Sequence, residues 1–148
     1  MEKSIQGHRP KNPCQRPGGV PEAPSIPGKK LLLVDDDLCM REITELFLNE
    51  NGYACTSTEN AGRAIDRLKN DQFDLVITDQ TMPEMTGIDL AENVISIRPG
   101  MPVILCTGFI DAAIEEKTTK IGIGAIVLKP VSMKRLISLI RNLLAPVR

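Results

Sequence analysis

Histidine is nearly absent from this chain. His8 is the only one in 148 residues, and it lies in a proline-rich N-terminal stretch. The part of the sequence that can fold therefore lacks the commonest general base. A zinc site would need several well-spaced ligands, and the pattern for one is missing. Cys14, Cys39, Cys55 and Cys106 form no C-x-x-C pair and have no histidine cluster beside them, so they read as free thiols in a reducing cytoplasm. The basic excess of a nucleic-acid binder is missing, since the formal net charge is −1. No run approaches the roughly 20 apolar residues of a membrane span, and the N-terminus lacks the apolar core of a secretion signal. What remains is an ordinary globular composition, 42% apolar and 25% charged, in a chain long enough for one domain with a full core.

Residues 1–28 stand apart. Pro10, Pro13, Pro17, Pro21, Pro24 and Pro27 alternate with glycines, and apolar residues are few. Such a segment buries too little surface to offset its ordering entropy, so it is expected to be a disordered tail or linker, with residues 29–148 as the folded domain. From Lys30 onward, short apolar runs alternate with helical patterns. Leu31–Val34, Leu75–Ile77, Pro102–Cys106 and Ala125–Leu128 read as buried strands, and Tyr53–Ser57 as a more polar strand at a sheet edge. Between them lie helical stripes: Met40, Ile43, Leu46 and Phe47; Ala61, Ala64, Ile65 and Leu68; Ile88, Ala91, Val94 and Ile95; a weaker one through Ile110, Ala113, Ile114 and Lys117; and Met133, Leu136, Ile137, Ile140, Leu143 and Leu144. These stripes are expected to be core. Asp37 and Asn60 are expected to cap the helices they precede. Five strands alternating with five helices predict an α/β fold, a doubly wound parallel sheet covered on both faces.

The chemistry gathers at the carboxyl ends of the strands. The first strand delivers Asp35 and Asp36, the third Asp79, the fourth Thr107 and the fifth Lys129. In an open α/β sheet these ends converge, and ligands bind there. Each residue alone reads as a cap, a turn or a solvated charge. The set in this order does not. Three converging carboxylates repel one another and call for a hard cation, and Mg²⁺ suits such oxygen ligands. A hydroxyl and an ammonium beside them suit a transferring phosphoryl group. A carboxylate is already ionised near neutral pH and can act as the nucleophile without a histidine.

Val34-Asp35-Asp36-Asp37, the run Asp79-Gln80-Thr81-Met82-Pro83-Glu84-Met85-Thr86-Gly87, Thr107-Gly108 and Lys129-Pro130 together resemble the receiver (CheY-like) domain of two-component response regulators. The resemblance covers about residues 30–145. It implies a flavodoxin-like sheet in the order 2-1-3-4-5, and Asp79 as phosphoacceptor for a phosphoryl group from a histidine kinase or histidine phosphotransfer protein. It further implies Mg²⁺ held by Asp35, Asp36, Asp79 and the backbone carbonyl of Thr81, with Thr107 bonding the phosphoryl group and Lys129 pairing with it. Lys129-Pro130 resembles the family's cis peptide, and Gly108 leaves the phosphoryl site open. Switched contact with a downstream protein target, a cytoplasmic location, and no nucleic-acid or membrane partner also follow. The domain would assist its own phosphorylation and dephosphorylation but turn over no separate substrate.

Two features depart from the family pattern. The family usually carries Tyr or Phe three residues before the lysine, where this chain has Ile126, and Asp37 extends the acidic pair to a triplet. Two other readings stand beside the phosphoacceptor. One is a haloacid-dehalogenase-like phosphohydrolase opening on Asp35-Asp36-Asp37, which leaves Asp79 unexplained. The other is a receiver-like module that binds partners without phosphorylation. No output-domain pattern follows the last helix, so the sequence reads as a single-domain regulator or as the receiver piece of a larger protein. Its Pro/Gly-rich entry resembles the linker before the terminal receiver of a hybrid histidine kinase.

Overall fold

The computed structural model describes residues 28–146, so all of the expected tail 1–28 except Gly28, and the last two residues of the expected domain 29–148, lie outside the described residues. The elements run β1 (Lys30–Val34), α1 (Leu38–Glu50), β2 (Ala54–Thr58), α2 (Ala61–Asn70), β3 (Leu75–Asp79), α3 (Gly87–Ile97), β4 (Val103–Thr107), α4 (Ala112–Ile121), β5 (Ala125–Leu128) and α5 (Met133–Leu144). All strand pairs are parallel and the order is β2-β1-β3-β4-β5, the arrangement expected from the family resemblance.

The central strands need apolar side chains on both faces, because helices cover both. Leu31, Leu33, Leu75, Ile77, Ile104 and Cys106 face one layer with Leu136, Ile137 and Ile140 of α5. Leu32, Val34, Val76 and Val103 face the other, with Ala61, Ala64 and Leu68 of α2 and Leu90, Ala91 and Val94 of α3. Alternation along each strand thus sorts one continuous apolar run into two cores. The polar strand β2 lies at the edge, as its composition predicts. Asp37 and Asn60 cap α1 and α2, accepting from Met40 N and Arg63 N, as expected.

Two helices correct the expected core. In α1, Met40, Ile43 and Leu46 are 41%, 56% and 60% exposed, while Thr44 and Leu48 are buried. Periodicity finds a stripe but does not say which side of the helix meets the sheet. Polar ties to β2 decide it here. Asn49 accepts from Cys55 N at 2.9 Å and donates to Cys55 O at 3.5 Å, and Ser57 Oγ donates to Glu45 at 2.6 Å. These bonds turn the Glu45–Asn49 side of α1 towards β2 and leave Ile43 and Leu46 facing outward. In α4 the buried residue is Thr118, not the Ile110–Ala113–Ile114 stripe; Ile110 precedes the helix, and it and Ala113 are exposed. Thr118 Oγ1 donates to Glu115 O at 3.0 Å, which removes the cost of burying its hydroxyl.

Strand ends also differ: β3 runs two residues past the expected Ile77 and β4 one past the expected Cys106, so that Asp79 and Thr107 are the last residues of their strands. The ladder carries on through the acid: Asp79 is in register with Cys106, and Gln80 N donates to Cys106 O at 2.8 Å.

Candidate functional site

β1, β3 and β5 deliver their polar residues to one end of the sheet. Asp35 follows β1 and holds its place through its backbone, with its N–H donating to Thr58 O at 3.2 Å and its carbonyl accepting from Arg41 Nη1 at 3.0 Å. Its Oδ1 accepts from Asp37 N at 2.9 Å. Asp37 spends its own carboxylate on capping α1, which takes the third acid of the triplet out of the cluster. The carboxylates that do meet are those of Asp35, Asp36 and Asp79, each with an oxygen within 4.8 Å of the others.

Asp79 is the buried member, with only 8% of its side chain exposed. Its Oδ1 pairs with Lys129 Nζ, while the lysine keeps 40% of its side chain in solvent. Burial raises the Asp79 carboxyl above its ordinary range; Lys129 opposes this, and the Asp36 and Asp37 charges add to it. Asp35 is raised chiefly by burial as well, with Asp79 contributing. Lys129 is also held above its usual value, because the bond and charge of Asp79 outweigh its desolvation. The ammonium therefore stays protonated. One lysine offsets one of three clustered acids, and a net negative charge remains.

Thr107 closes β4 one residue beyond the register partner of Asp79, and Lys129 N donates to its carbonyl at 2.8 Å. Its hydroxyl donates to Phe109 O at 3.0 Å, not to the carboxylate. Thr81 lies in the β3–α3 loop with its side chain exposed. The Lys129–Pro130 peptide is cis, as the family resemblance implies. A side chain added at Gly108 would meet nothing within 4 Å, so space is open beside Thr107.

Several contributors were not singled out by sequence reasoning. Gly87 marks the end of the β3–α3 loop, but its lack of a side chain matters more: a Cβ there would sit 2.3 Å from Asp79 O and 2.6 Å from Leu105 Cδ1. Gln80 fastens the same loop, its Oε1 accepting from Ile88 N at 2.9 Å and its carbonyl from Gly87 N at 3.0 Å. Thr86 and Asp89 form a reciprocal capping box that starts α3. The T-G-x-D pattern Thr86–Asp89 carries a readable signal for that box; Gly87's close approach to β3 has none. A cavity of about 440 Å³ opens beside the Asp79–Lys129 pair, walled by Met40 and Thr44 of α1, Met133 and Leu136 of α5, and Cys106. Its lining is mostly apolar.

The three carboxylates fit a divalent cation. A six-coordinate Mg²⁺ with oxygens at about 2.0–2.1 Å places its ligands roughly 3–4 Å apart, and small side-chain rotations bring oxygens within 4.8 Å to that spacing. The donors are hard oxygens, the charge is in excess, and Asp36 is exposed, which leaves room for the waters such an ion keeps.

Residues 31–141 match the family model of the response regulator receiver domain. The chain is 33% identical over 116 residues to the response regulator receiver protein CpdR of Brucella abortus, covering 78% of this chain and 97% of that one. It is 32% identical over 111 residues to the chemotaxis protein CheY of Thermotoga maritima, covering 74% and 92%. A solved CheY-like receiver domain protein from Methanospirillum hungatei superposes with a TM-score of 0.76 at 31% identity, covering 79% of this chain and 94% of that one.

Proposed function

This chain belongs to the response regulator receiver domain family of two-component phosphorelays, and from that we propose that Asp79 is its phosphoacceptor. The observation that carries the reading is the pairing of one buried carboxylate with Lys129 beside two further acids at the end of the sheet. Family membership and the centring of the site on Asp79 favour neither the phosphohydrolase reading, which needs Asp35 as nucleophile, nor a module that works without phosphorylation.

A carboxylate oxygen of Asp79 attacks the phosphorus of a phosphohistidine on a kinase or phosphotransfer protein. The new P–O bond forms as the P–N bond breaks, and the imidazole leaves with the electron pair. Asp35, Asp36, Asp79 and the Thr81 carbonyl would hold Mg²⁺, which supplies neutralising charge to the phosphoryl oxygens when bound. Lys129 exchanges its partner from the Asp79 carboxylate to a phosphoryl oxygen. Thr107 donates its hydroxyl to another. Burial of Asp79 limits water at the acyl phosphate, and the open flank at Gly108 admits the group.

Residues 29–148 constitute the receiver in this reading, and residues 1–28 its tail or linker. The domain assists its own phosphorylation and dephosphorylation without a separate substrate, acts in the cytoplasm, and passes the signal to a downstream protein. Among the described residues no helix is long and apolar enough to cross a membrane.

The test is transfer of radiolabelled phosphate from a phosphorylated histidine kinase, or from acetyl phosphate, with Mg²⁺ present. Label should enter the wild-type chain, be removed by hydroxylamine as an acyl phosphate, and be absent from Asp79→Asn. Undiminished labelling of Asp79→Asn would overturn the assignment. Asp35→Asn and Asp36→Asn should each weaken Mg²⁺ binding, so that more Mg²⁺ is needed for labelling, and slow labelling at a fixed Mg²⁺ concentration.

A further inference from the structure

We propose that Phe109 is the moving aromatic residue of this receiver, held out in solvent by Thr107 until the hydroxyl is drawn to a phosphoryl group on Asp79. The inference rests on Asp79 as phosphoacceptor and deepens that reading. A threonine hydroxyl carries a single proton and can donate to one acceptor at a time. Here the proton is committed: Thr107 Oγ1 donates to Phe109 O at 3.0 Å. An ionised phosphoryl oxygen is the stronger acceptor, because charge-assisted bonds exceed neutral ones. The two bonds exclude each other, so phosphorylation releases the Phe109 carbonyl.

The ring has somewhere to go. Phe109 is 62% exposed, an unusual position for one of only four aromatic residues in the chain. Ile126 and Leu128 of β5 are in register with Leu105 and Thr107, and so share the face of the sheet on which Thr107 lies. At its β5 edge that face is thinly covered. Among the residues of α4 only Thr118 is buried, Ile126 is half-buried, and Leu128 remains 52% exposed. Ile126 is smaller than a ring, and the exposed Leu128 leaves apolar surface in solvent at the end of the sheet where the chain leaves β4 towards Phe109. Gly108, with no atom within 4 Å of a would-be Cβ, is an unobstructed pivot between Thr107 and Phe109. Once the carbonyl is free, burial of the ring against Leu128 and Ile126 is favoured by the apolar area it removes from water. An aromatic residue from the β4–α4 loop thus takes over the task for which β5 carries no ring.

Fluorine NMR of the full chain labelled with 4-fluorophenylalanine tests this directly. The chain has three phenylalanines, so Phe47 and the buried Phe73 serve as internal references, and Phe109→Leu assigns the third signal. With Mg²⁺ and acetyl phosphate, the Phe109 signal should move and its H₂O/D₂O isotope shift should fall at least twofold, in proportion to label on Asp79. Thr107→Val, which removes the donor, should lower the isotope shift with no phosphodonor present. A chain that carries label on Asp79 while Phe109 keeps its full isotope shift overturns the inference and leaves the phosphoacceptor reading intact. Failure of Asp79 to take label brings down both. A Phe109 signal unmoved in Thr107→Val rejects the tether.

Discussion

Lys129 Nζ is bonded to Oδ1 of Asp79, and the two partners sit in unlike surroundings: the carboxylate is 8% exposed and the ammonium 40%. The pair is therefore neither a surface salt bridge nor a fully buried one. The carboxylate bears most of the desolvation, and the lysine can let go into water. Such a counter-charge neutralises Asp79 at rest, and in the proposed reaction it would follow the phosphoryl group.

Replacing Lys129 by Met should separate two effects. Asp79 loses its hydrogen-bond donor and the cation paired with it, so stability should fall by about 1–2 kcal/mol, less than for a fully buried pair because the lysine is partly solvated. Urea unfolding without metal measures this. Removing a positive charge beside three carboxylates should also tighten Mg²⁺ binding roughly 2–5-fold, while label incorporation from acetyl phosphate drops. Weaker Mg²⁺ binding in Lys129→Met would contradict the electrostatic account.

The raised carboxyls give a pH dependence with a definite sign. For Asp35 and Asp79 the folded value lies above the ordinary 3.8, so between the two values the folded chain holds more protons than the unfolded one. Stability then falls as pH rises through that window, and the cost is complete above the folded value. In metal-free buffer at pH 7, Asp79→Asn should melt higher than wild type by roughly 2–6 °C, with the gap closing below pH 4. Mg²⁺ should raise the melting temperature of wild type more than that of Asp79→Asn, since it stabilises only the state that binds it.

Gly87→Ala tests the close approach of α3 to the end of β3. The new Cβ would fall 2.3 Å from the Asp79 carbonyl, a backbone atom that cannot step aside, and 2.6 Å from buried Leu105. A destabilisation of about 1–3 kcal/mol is expected, together with slower labelling, because the β3–α3 loop must move away from Asp79. Wild-type stability in this variant would show that the loop moves freely.

The orientation of α1 separates Leu48 from Ile43 and Leu46. Leu48→Ala empties a fully buried site and should cost about 2–5 kcal/mol, whereas Ile43→Ala and Leu46→Ala should each stay within about 0.5 kcal/mol. Denaturant midpoints at constant m-value decide this. Equal losses at all three positions would restore the core stripe that periodicity suggests.

The sequence alone determined the alternation of strands and helices, the edge position of β2, the caps at Asp37 and Asn60, and the acids, hydroxyl and lysine at the strand ends. These are local signals: unbroken β-branched and leucine runs, side-chain oxygens three residues before an amide, charged residues where an apolar run stops. The order 2-1-3-4-5 came with the family resemblance, since no strand's own residues name its neighbour. Tertiary structure alone decided which face of α1 is core, because Asn49 and Glu45 reach β2 residues that only the fold brings near. It also decided that Gly87 must have no side chain and that the Thr107 proton is already given to Phe109. Each depends on a distance between atoms, and residue spacing along the chain carries no record of it.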